Sequence, residues 1–555
     1  MPRAFLLHRC GKNSVFDAIS EKPIESDYFS NDQEGCVMIS DKHHTRIGAF
    51  VLETLTTGMY RNPLDTLREY VQNAFDSIRA AERESVIGTG TGRIHVAISE
   101  KDRTLSIRDN GTGVPAADVA ATLKDIGTSA KSVENDVGFR GIGRLAGIAY
   151  CDRLVFKTQH YEKMTISTVT FDAVALRDAM SPKNREVKEL GEVVDEYVTV
   201  TTEPAKRKES FLEVSMIGIN PNGKIFLDMT AVSTYLEQVA PLPLDRQSVS
   251  LSKRFYDWVR GTRVDLREVN IVLEMGGNSR ELFKPLKKRT YYTKQDKHEV
   301  LVEDLCFFPE NATNDSPFWI WYADTNCPGT IDDDSVAGFR FRKANIAIGP
   351  SGDRMTEIFR LVATSNARFN RYFIGEVHIQ DPAVIPNAHR DDFEETPEWL
   401  AIREQLIAFA RERSNDVRFL SDWRNASIGK IMTTTGKSLD EVEKKRNSGF
   451  SSKSEQAKLD ENIGKDISKV EAALQKADRP EDEKKRIENR LKELKTAREE
   501  IVEIKIGGRP RSSLDRKQRK ILSEIRELLY EKLDKRCYET ANAAIVEKYQ
   551  LFEKE

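Results

Sequence analysis

Cysteine is scarce in this sequence. Six occur among 555 residues (Cys10, Cys36, Cys151, Cys306, Cys327 and Cys537), and no two form a C-x-x-C pair. That scatter argues against a zinc site or a disulfide framework, and makes a reducing cytoplasm the expected location. Long apolar runs are missing as well. None approaches the roughly 18 residues of a membrane span, and the opening "MPRAFLLHRC" has neither the apolar core nor the cleavage site of a signal peptide. No membrane partner is expected. An excess of one charge is absent: 86 Lys and Arg face 89 Asp and Glu, for a net charge of −3. This argues against a wholly basic nucleic-acid coat, though not against a local basic patch. There is no G-x-x-x-x-G-K-[ST] segment, so a P-loop is excluded.

What is present is a chain that is 39% hydrophobic and 32% charged. That composition builds two or three domains with real cores, plus a solvent-rich helical portion. Residues 1–45 are a polar N-terminal extension with no assignable role. Residues 46–225 read as an α/β domain. Asn62-Pro63 marks a helix start, and Leu67, Val71, Ala74 and Ile78 form an apolar helical stripe. Ile94, Val96 and Ile98, then Leu105 and Ile107, alternate as a β-hairpin that delivers Asp109 to a strand end. Residues 116–127 return to helix. Four further strands, 153–158, 164–171, 197–202 and 210–219, adjoin without crossover helices, which predicts a mostly antiparallel sheet.

A helix ending in the prolines of "YLEQVAPLPLD" marks the next boundary. Residues 226–415 read as a second α+β domain whose strands include "VNIVLEM", "FWIWYAD", "AGFRFRKANIAIG" and "RYFIGEVHI". Residues 416–456 read as a linker, ending in "KRNSGFSSKSEQ". In 457–506, Ile463, Ile467, Val470 and Leu474, then Ile487, Leu491, Leu494 and Ile501, repeat at coiled-coil spacing and predict a helical hairpin. The C-terminal segment 507–555 carries Ile521, Leu522, Ile525, Leu528 and Leu529 on one helical face.

The chemistry gathers near residue 70. In "REYVQNAFDS", Glu69, Asn73 and Asp76 lie opposite the apolar stripe. The bland reading is a solvated face. Within about 75 residues, however, come a strand-end carboxylate in "DNGTG" (Asp109, Gly111, Gly113), a polar loop "GTSAKS" (Thr128, Ser129, Lys131) and a glycine loop "GFRGIG" (Gly138, Phe139, Arg140, Gly141, Ile142, Gly143) entering a helix. Each element suits a nucleotide. A strand-end carboxylate accepts an N–H from an exocyclic amine such as that of adenine. Glycines let backbone N–H groups approach phosphates, and a helix start adds its dipole. Lys131 supplies counter-charge. The Asn73 amide oxygen is a hard ligand suited to Mg²⁺, which keeps most of its waters. Glu69, one turn before it, is placed to act as general base on an attacking water. Taken singly, the alternatives are a surface turn for "GFRGIG", a hairpin loop for "DNGTG" and a solvated side chain for Lys131.

Together "EYVQNAFD", "DNGTG" and "GFRGIG" resemble the nucleotide motifs of the GHKL ATPases, the superfamily of gyrase B, heat-shock protein 90, histidine kinases, MutL and the MORC proteins. The resemblance implies a Bergerat fold, an α/β sandwich holding ATP and Mg²⁺ beneath a mobile lid. It implies Glu69 as water activator, Asn73 as metal ligand, Asp109 as adenine partner, Gly111 and Gly113 beneath the base, and Gly138, Gly141 and Gly143 at the phosphates. Asp76 is assigned to orienting the site. "IGTSAKS" resembles heat-shock protein 90, while "LAGIAYCDRLVFKT" is closer to MutL. "IPNAHRDDFE" (385–394) resembles the middle-domain loop of heat-shock protein 90, which implies that Arg390 reaches the γ-phosphate and Asn387 shapes the loop. The bland reading of Arg390 is a surface arginine paired to Asp391 or Asp392. One departure stands out: the strand "ESFLEVSMI" lacks the Gly-Thr of that family, so no threonine is assigned to adenine.

The resemblance implies an ATP-gated, chaperone-like switch that closes as a homodimer on a protein client, and divergent bacterial relatives occur in phage-defence settings. The alternatives are a MutL- or MORC-like DNA clamp, or an ATP-binding scaffold without turnover. For DNA the best local patch is "RPRSSLDRKQRK" (509–520), which net charge does not reinforce. His43 and His44 lack the helix pattern of a histidine kinase's phospho-acceptor.

Overall fold

The structure is a computed structural model and describes residues 47–48, 50–56, 62–127, 143–181, 188–246, 251–325, 329–349, 353–476, 479–506 and 516–549. Its strands are β1 (Arg93–Ser99), β2 (Thr104–Asp109), β3 (Arg153–Gln159), β4 (Thr165–Asp172), β5 (Val198–Pro204), β6 (Phe211–Ile217), β7 (Asn270–Met275) and β8 (Asn278–Glu281), then β9 (Thr290–Tyr292), β10 (Glu299–Phe308), β11 (Phe318–Thr325), β12 (Gly338–Lys343), β13 (Ile346–Ile348) and β14 (Ile374–Ile379). The helices are α1 (Phe50–Thr56), α2 (Asp65–Arg83), α3 (Val119–Leu123), α4 (Ala173–Ala179), α5 (Leu190–Tyr197), α6 (Met229–Val239), α7 (Ser252–Thr262), α8 (Asp353–Val362), α9 (Pro397–Arg424), α10 (Ile428–Ser448), α11 (Lys453–Leu474), α12 (Glu481–Glu503), α13 (Arg516–Lys532) and α14 (Lys535–Tyr549). The fold is therefore α+β, with two sheets followed by a helical region.

The first sheet has eight strands in the order β5-β4-β3-β6-β2-β1-β7-β8. Alternation sets its two faces. Ile94, Val96, Leu105 and Ile107 point into one core with Leu67, Val71, Ala74 and Ile78 of α2, so the helix lies on the sheet by its apolar stripe. Every pairing in this sheet is antiparallel except β1 with β7. Here the expected organisation needs correction. "VNIVLEM", expected in the second domain, completes the first sheet as β7. The chain returns to β1 through α6 and α7, and such a crossover permits parallel pairing. Ile271 and Leu273 are fully buried by it. The helix expected over 116–127 is also shorter, since α3 spans only Val119–Leu123.

The second sheet runs β13-β12-β14-β11-β10-β9. At its centre is a buried ionic cluster. Glu376 on β14 accepts from Lys284 Nζ (3.0 Å), Trp321 Nε1 (3.0 Å) and Arg342 Nε. Burial opposes the Glu376 carboxylate, but Arg342 and Lys284 hold it well below the usual carboxylate range. Arg342 also donates to the carbonyls of Gln238 (2.8 Å) and Ala240 (3.1 Å) at the end of α6. On α6 itself, the Tyr235 hydroxyl donates to Asp65 on α2 (2.8 Å). Beyond β14 the chain enters the loop that carries Arg390.

A linker over 416–456 is not what forms. Helix α9 continues to Arg424, and α10 fills most of the remaining stretch. In "KRNSGFSSKSEQ", Gly449 takes a left-handed φ of 72° to end α10, Phe450 is buried, and the Ser452 hydroxyl caps α11 by accepting from Glu455 N. Most of the predicted apolar stripes are buried: Ile463, Ile467, Val470, Ile487, Leu494 and Ile501 share one core, and Leu474 and Leu491 pack against it half-buried. That core also holds Trp423 of α9 and Ile431 and Val442 of α10, so four helices pack where two were expected. On α13, Ile521, Ile525 and Leu528 are exposed. Among the described residues Cys151, Cys306 and Cys537 are free thiols, and no helix is long and apolar enough to cross a membrane.

Candidate functional site

The polar face of α2 is not a solvated face. Glu69 is 6% exposed and Asp76 4%, while Asn73 is partly buried. At 100° per residue, these three fall within about 60° of one another on the helix. Two things close over Glu69. The first is Gly143, where an added Cβ would overlap the Glu69 carboxylate. The second comes from the other sheet: Arg390 Nε lies 3.1 Å from Glu69 Oε1, with both side chains more than nine-tenths buried. An isolated buried carboxylate is costly, and the guanidinium compensates it.

The Arg390 loop is shaped by its own bonds. Pro386 and Phe393 pair as an antiparallel bridge. Asn387 Nδ2 donates to Asp391 Oδ1 (2.8 Å), and Asn387 N donates to the Asp392 carbonyl (2.9 Å). Arg390 itself has a φ of 54°, in the left-handed region that non-glycine residues seldom adopt. Its N–H donates to Asn387 O, and Gly349 N–H donates to its carbonyl. From α2, Arg68 reaches the same loop, donating to His389 O (3.2 Å) and Arg390 O (3.5 Å). Sequence reading missed Arg68. Nothing in its spacing distinguishes it, and its partners lie 321 and 322 residues away.

Asp109 closes β2 and is 3% exposed. Its Oδ1 accepts from Gly111 N (2.7 Å), Ser77 Oγ (3.2 Å) and Leu212 N (3.4 Å). Burial pushes its carboxyl up to about 7, against the lowering effect of those donors and of Arg108. Ser77 was also missed, although it sits one residue past Asp76 on α2. The turn beneath Asp109 requires its glycines. A Cβ at Gly111 would strike Ser77, and one at Gly113 (φ 66°) would strike the Gln159 carbonyl. Thr158 Oγ1 pins the turn by accepting from Val114 N (2.9 Å) while donating to Phe211 O (2.8 Å). Strand β6, which lacks the expected Gly-Thr, thus still supports Asp109 through Leu212.

Of the remaining sequence-derived residues, Thr128, Ser129, Lys131, Gly138, Phe139, Arg140, Gly141 and Ile142 lie outside the described residues. So do residues 509–515 of the basic patch.

The residues present fit a nucleotide and Mg²⁺. Among the described residues, Thr66 Oγ1 and both amide atoms of Gln72, on α2 within one turn of Glu69, are fully buried and find no hydrogen-bond partner. Nε and Nη2 of Arg144, next to Gly143, are likewise buried and unsatisfied. Such groups cost about 1–3 kcal/mol each when left unpaired, so they mark a place that a polar ligand or water completes. Among the described residues no cluster of three or more His, Cys, Asp or Glu stands ready for a metal. One Asn amide and water suit Mg²⁺ better than zinc or calcium.

Comparisons with known proteins point the same way. Residues 62–199 match the family described as histidine kinase-, DNA gyrase B-, and HSP90-like ATPase. Chaperone protein HtpG of Aliarcobacter butzleri (strain RM4018) is 35% identical over 103 residues, 17% of this chain and 16% of that protein. Chaperone protein HtpG of Salinispora arenicola (strain CNS-205) is 27% identical over 129 residues, 20% of each chain. The chain thus spans a fifth or less of the length of these relatives. With α2, β2 and the Gly143 turn inside the matched segment, residues 62–199 form an HSP90-like ATPase domain of the histidine kinase and gyrase B superfamily.

Proposed function

We propose that this chain binds ATP with Mg²⁺ and hydrolyses it to ADP and phosphate, using the reaction to switch conformation. One observation carries the reading most: the 3.1 Å approach of Arg390, from the second sheet, to Glu69 on α2. A general base needs burial and a fixed orientation, and phosphoryl transfer needs a cation near the developing charge. Both groups meet here.

In this reading Glu69 takes the proton from the attacking water. Arg390 orients that carboxylate and brings positive charge to the terminal phosphate. Asn73 ligates the metal through its amide oxygen, and bound Mg²⁺ neutralises phosphate charge and fixes the phosphates in place. Asp109 accepts the adenine N–H, and Gly111 and Gly113 form the turn beneath the base. Gly143, whose missing Cβ leaves the Glu69 carboxylate in place, faces the phosphates. The relatives are chaperone proteins by name, and a client-directed, chaperone-like role is proposed here by analogy with them. The exposed Ile521, Ile525 and Leu528 of α13 support association of two copies, closed in the ATP-bound state.

The test is ATP turnover by the full chain and by Glu69→Ala. The variant should keep ATP affinity and lose roughly 10²–10⁴ in rate. Hydrolysis by Glu69→Ala at the parent rate rejects the mechanism. Particle mass with and without a non-hydrolysable ATP analogue tests association: a mass independent of the analogue removes the gated dimer.

A further inference from the structure

Arg68 neighbours the proposed base in sequence, but its hydrogen bonds go elsewhere. Its Nε stands 3.9 Å from Glu69 Oε1, too far for a hydrogen bond. Its two terminal nitrogens instead donate to His389 O and Arg390 O. Those two carbonyls belong to the peptide groups on either side of the Arg390 Cα. One guanidinium fork therefore grips the backbone immediately before and after the residue whose side chain meets Glu69. The fork geometry matters, because arginine presents several donors in a fixed plane while lysine presents a single compact ammonium.

The loop's internal bonds explain its shape but not its place. Asn387, Asp391 and Asp392 bond to one another, and Gly349 ties Arg390 O to the second sheet. The hydrogen bonds from α2 to this loop described above come from Arg68, which is 4% exposed. Arg390 holds a left-handed backbone there, so a small rotation of either flanking peptide would swing its side chain away from Glu69.

We propose that Arg68 is a positioning residue that holds the peptides flanking Arg390, so that the Arg390 guanidinium stands at Glu69 when ATP is hydrolysed. This rests on the ATPase reading above. It assigns Arg68 no contact with nucleotide. The two arginines divide the work: one binds carbonyls, the other the reacting groups.

The test is a double-mutant cycle on the full chain with Arg68→Lys, Arg390→Ala and the pair, reading kcat, KM for ATP and affinity for a non-hydrolysable ATP analogue. Arg68→Lys should lower kcat roughly ten- to a hundredfold, as a misplaced catalytic group does, with analogue affinity unchanged. In the Arg390→Ala background the same change should do nothing more. A parent kcat for Arg68→Lys, or an equal loss with and without Arg390, overturns the proposal. Amide hydrogen exchange over residues 386–393 supplies a readout independent of turnover. It should speed up in Arg68→Lys, and unchanged exchange overturns the proposal even if the chain hydrolyses no ATP. An inactive parent chain, by contrast, rejects the ATPase reading itself. Arg68→Gln gives the same comparisons should lysine at this buried position prevent folding.

Discussion

Asp109 sets folding against binding, and the conflict is measurable. Its carboxyl is buried at the end of β2 and titrates near 7, against 3.8 for the free group. Burial raises it more than the Gly111, Leu212 and Ser77 donors and Arg108 lower it. The folded pKa is the higher one, so Asp109's contribution to stability is fully present below pH 3.8 and is lost as pH rises through about 7. A shift of this size corresponds to about 4 kcal/mol. An adenine N–H, however, needs the ionised carboxylate as its acceptor. Affinity for adenosine, which has no phosphate of its own to titrate, should therefore weaken about tenfold between pH 7.5 and pH 6. Asp109→Asn separates the two effects. Its amide oxygen still accepts from Gly111 and Leu212, so at pH 8 the variant should melt no lower than the parent while binding no adenosine. The assays are calorimetric binding across that pH range and thermal unfolding at pH 8. Adenosine affinity flat from pH 6 to 8, or full binding by Asp109→Asn, would show that this carboxylate does not receive the base.

Other expectations follow from the same geometry. Arg390→Ala should lower kcat by roughly 10³ or more with little change in ATP affinity, read by steady-state kinetics; an unchanged kcat removes the loop from the site. Gly143→Ala forces the Glu69 carboxylate from its place, so hydrolysis should fall while analogue binding persists, and parent turnover would mean that Glu69 relocates without consequence. Glu376→Gln leaves Lys284 and Arg342 buried without their counter-charge and should cost about 3–5 kcal/mol in a urea titration; a loss below about 1 kcal/mol would mean that water enters the cluster. Ser452→Ala removes the cap of α11 and should cost about 1 kcal/mol in the same assay.

Much of the first sheet and its helix was legible because the signals are local. A stripe at i, i+3 and i+4 fixed α2, and alternation fixed the hairpin that carries Asp109, since each depends on neighbours within a few residues. What escaped depends on distance. The β7 strand reads as a strand anywhere, but nothing in "VNIVLEM" says that its partner is β1, reached only after two helices. "KRNSGFSSKSEQ" has linker composition, yet Phe450 and the Ser452 cap turn it into a tight connection between packed helices. In a polar stretch a single buried aromatic outweighs the average composition. The same limit hid Arg68, whose partners are backbone carbonyls and therefore leave no complementary residue type in the sequence.

The polar face of α2 shows how these scales join. Glu69, Asn73 and Asp76 share a face by helix geometry alone, and a solvated face has that same pattern. Burial separates the two cases. The Glu69 carboxylate, 6% exposed, has a cation fixed beside it, and that cation comes from the loop beyond β14. That loop is held by Arg68 from α2. Its parent sheet is tied to α6 through Arg342, and α6 is tied back to α2 through Tyr235 and Asp65. The helix bearing the proposed base and the loop bearing its arginine are thus bound by direct contact and by a second route through α6. A movement of the second sheet against the first must change the Glu69–Arg390 distance, and in the proposed reaction that distance sets the rate. Coupling between shape and hydrolysis follows from this closed circuit of contacts.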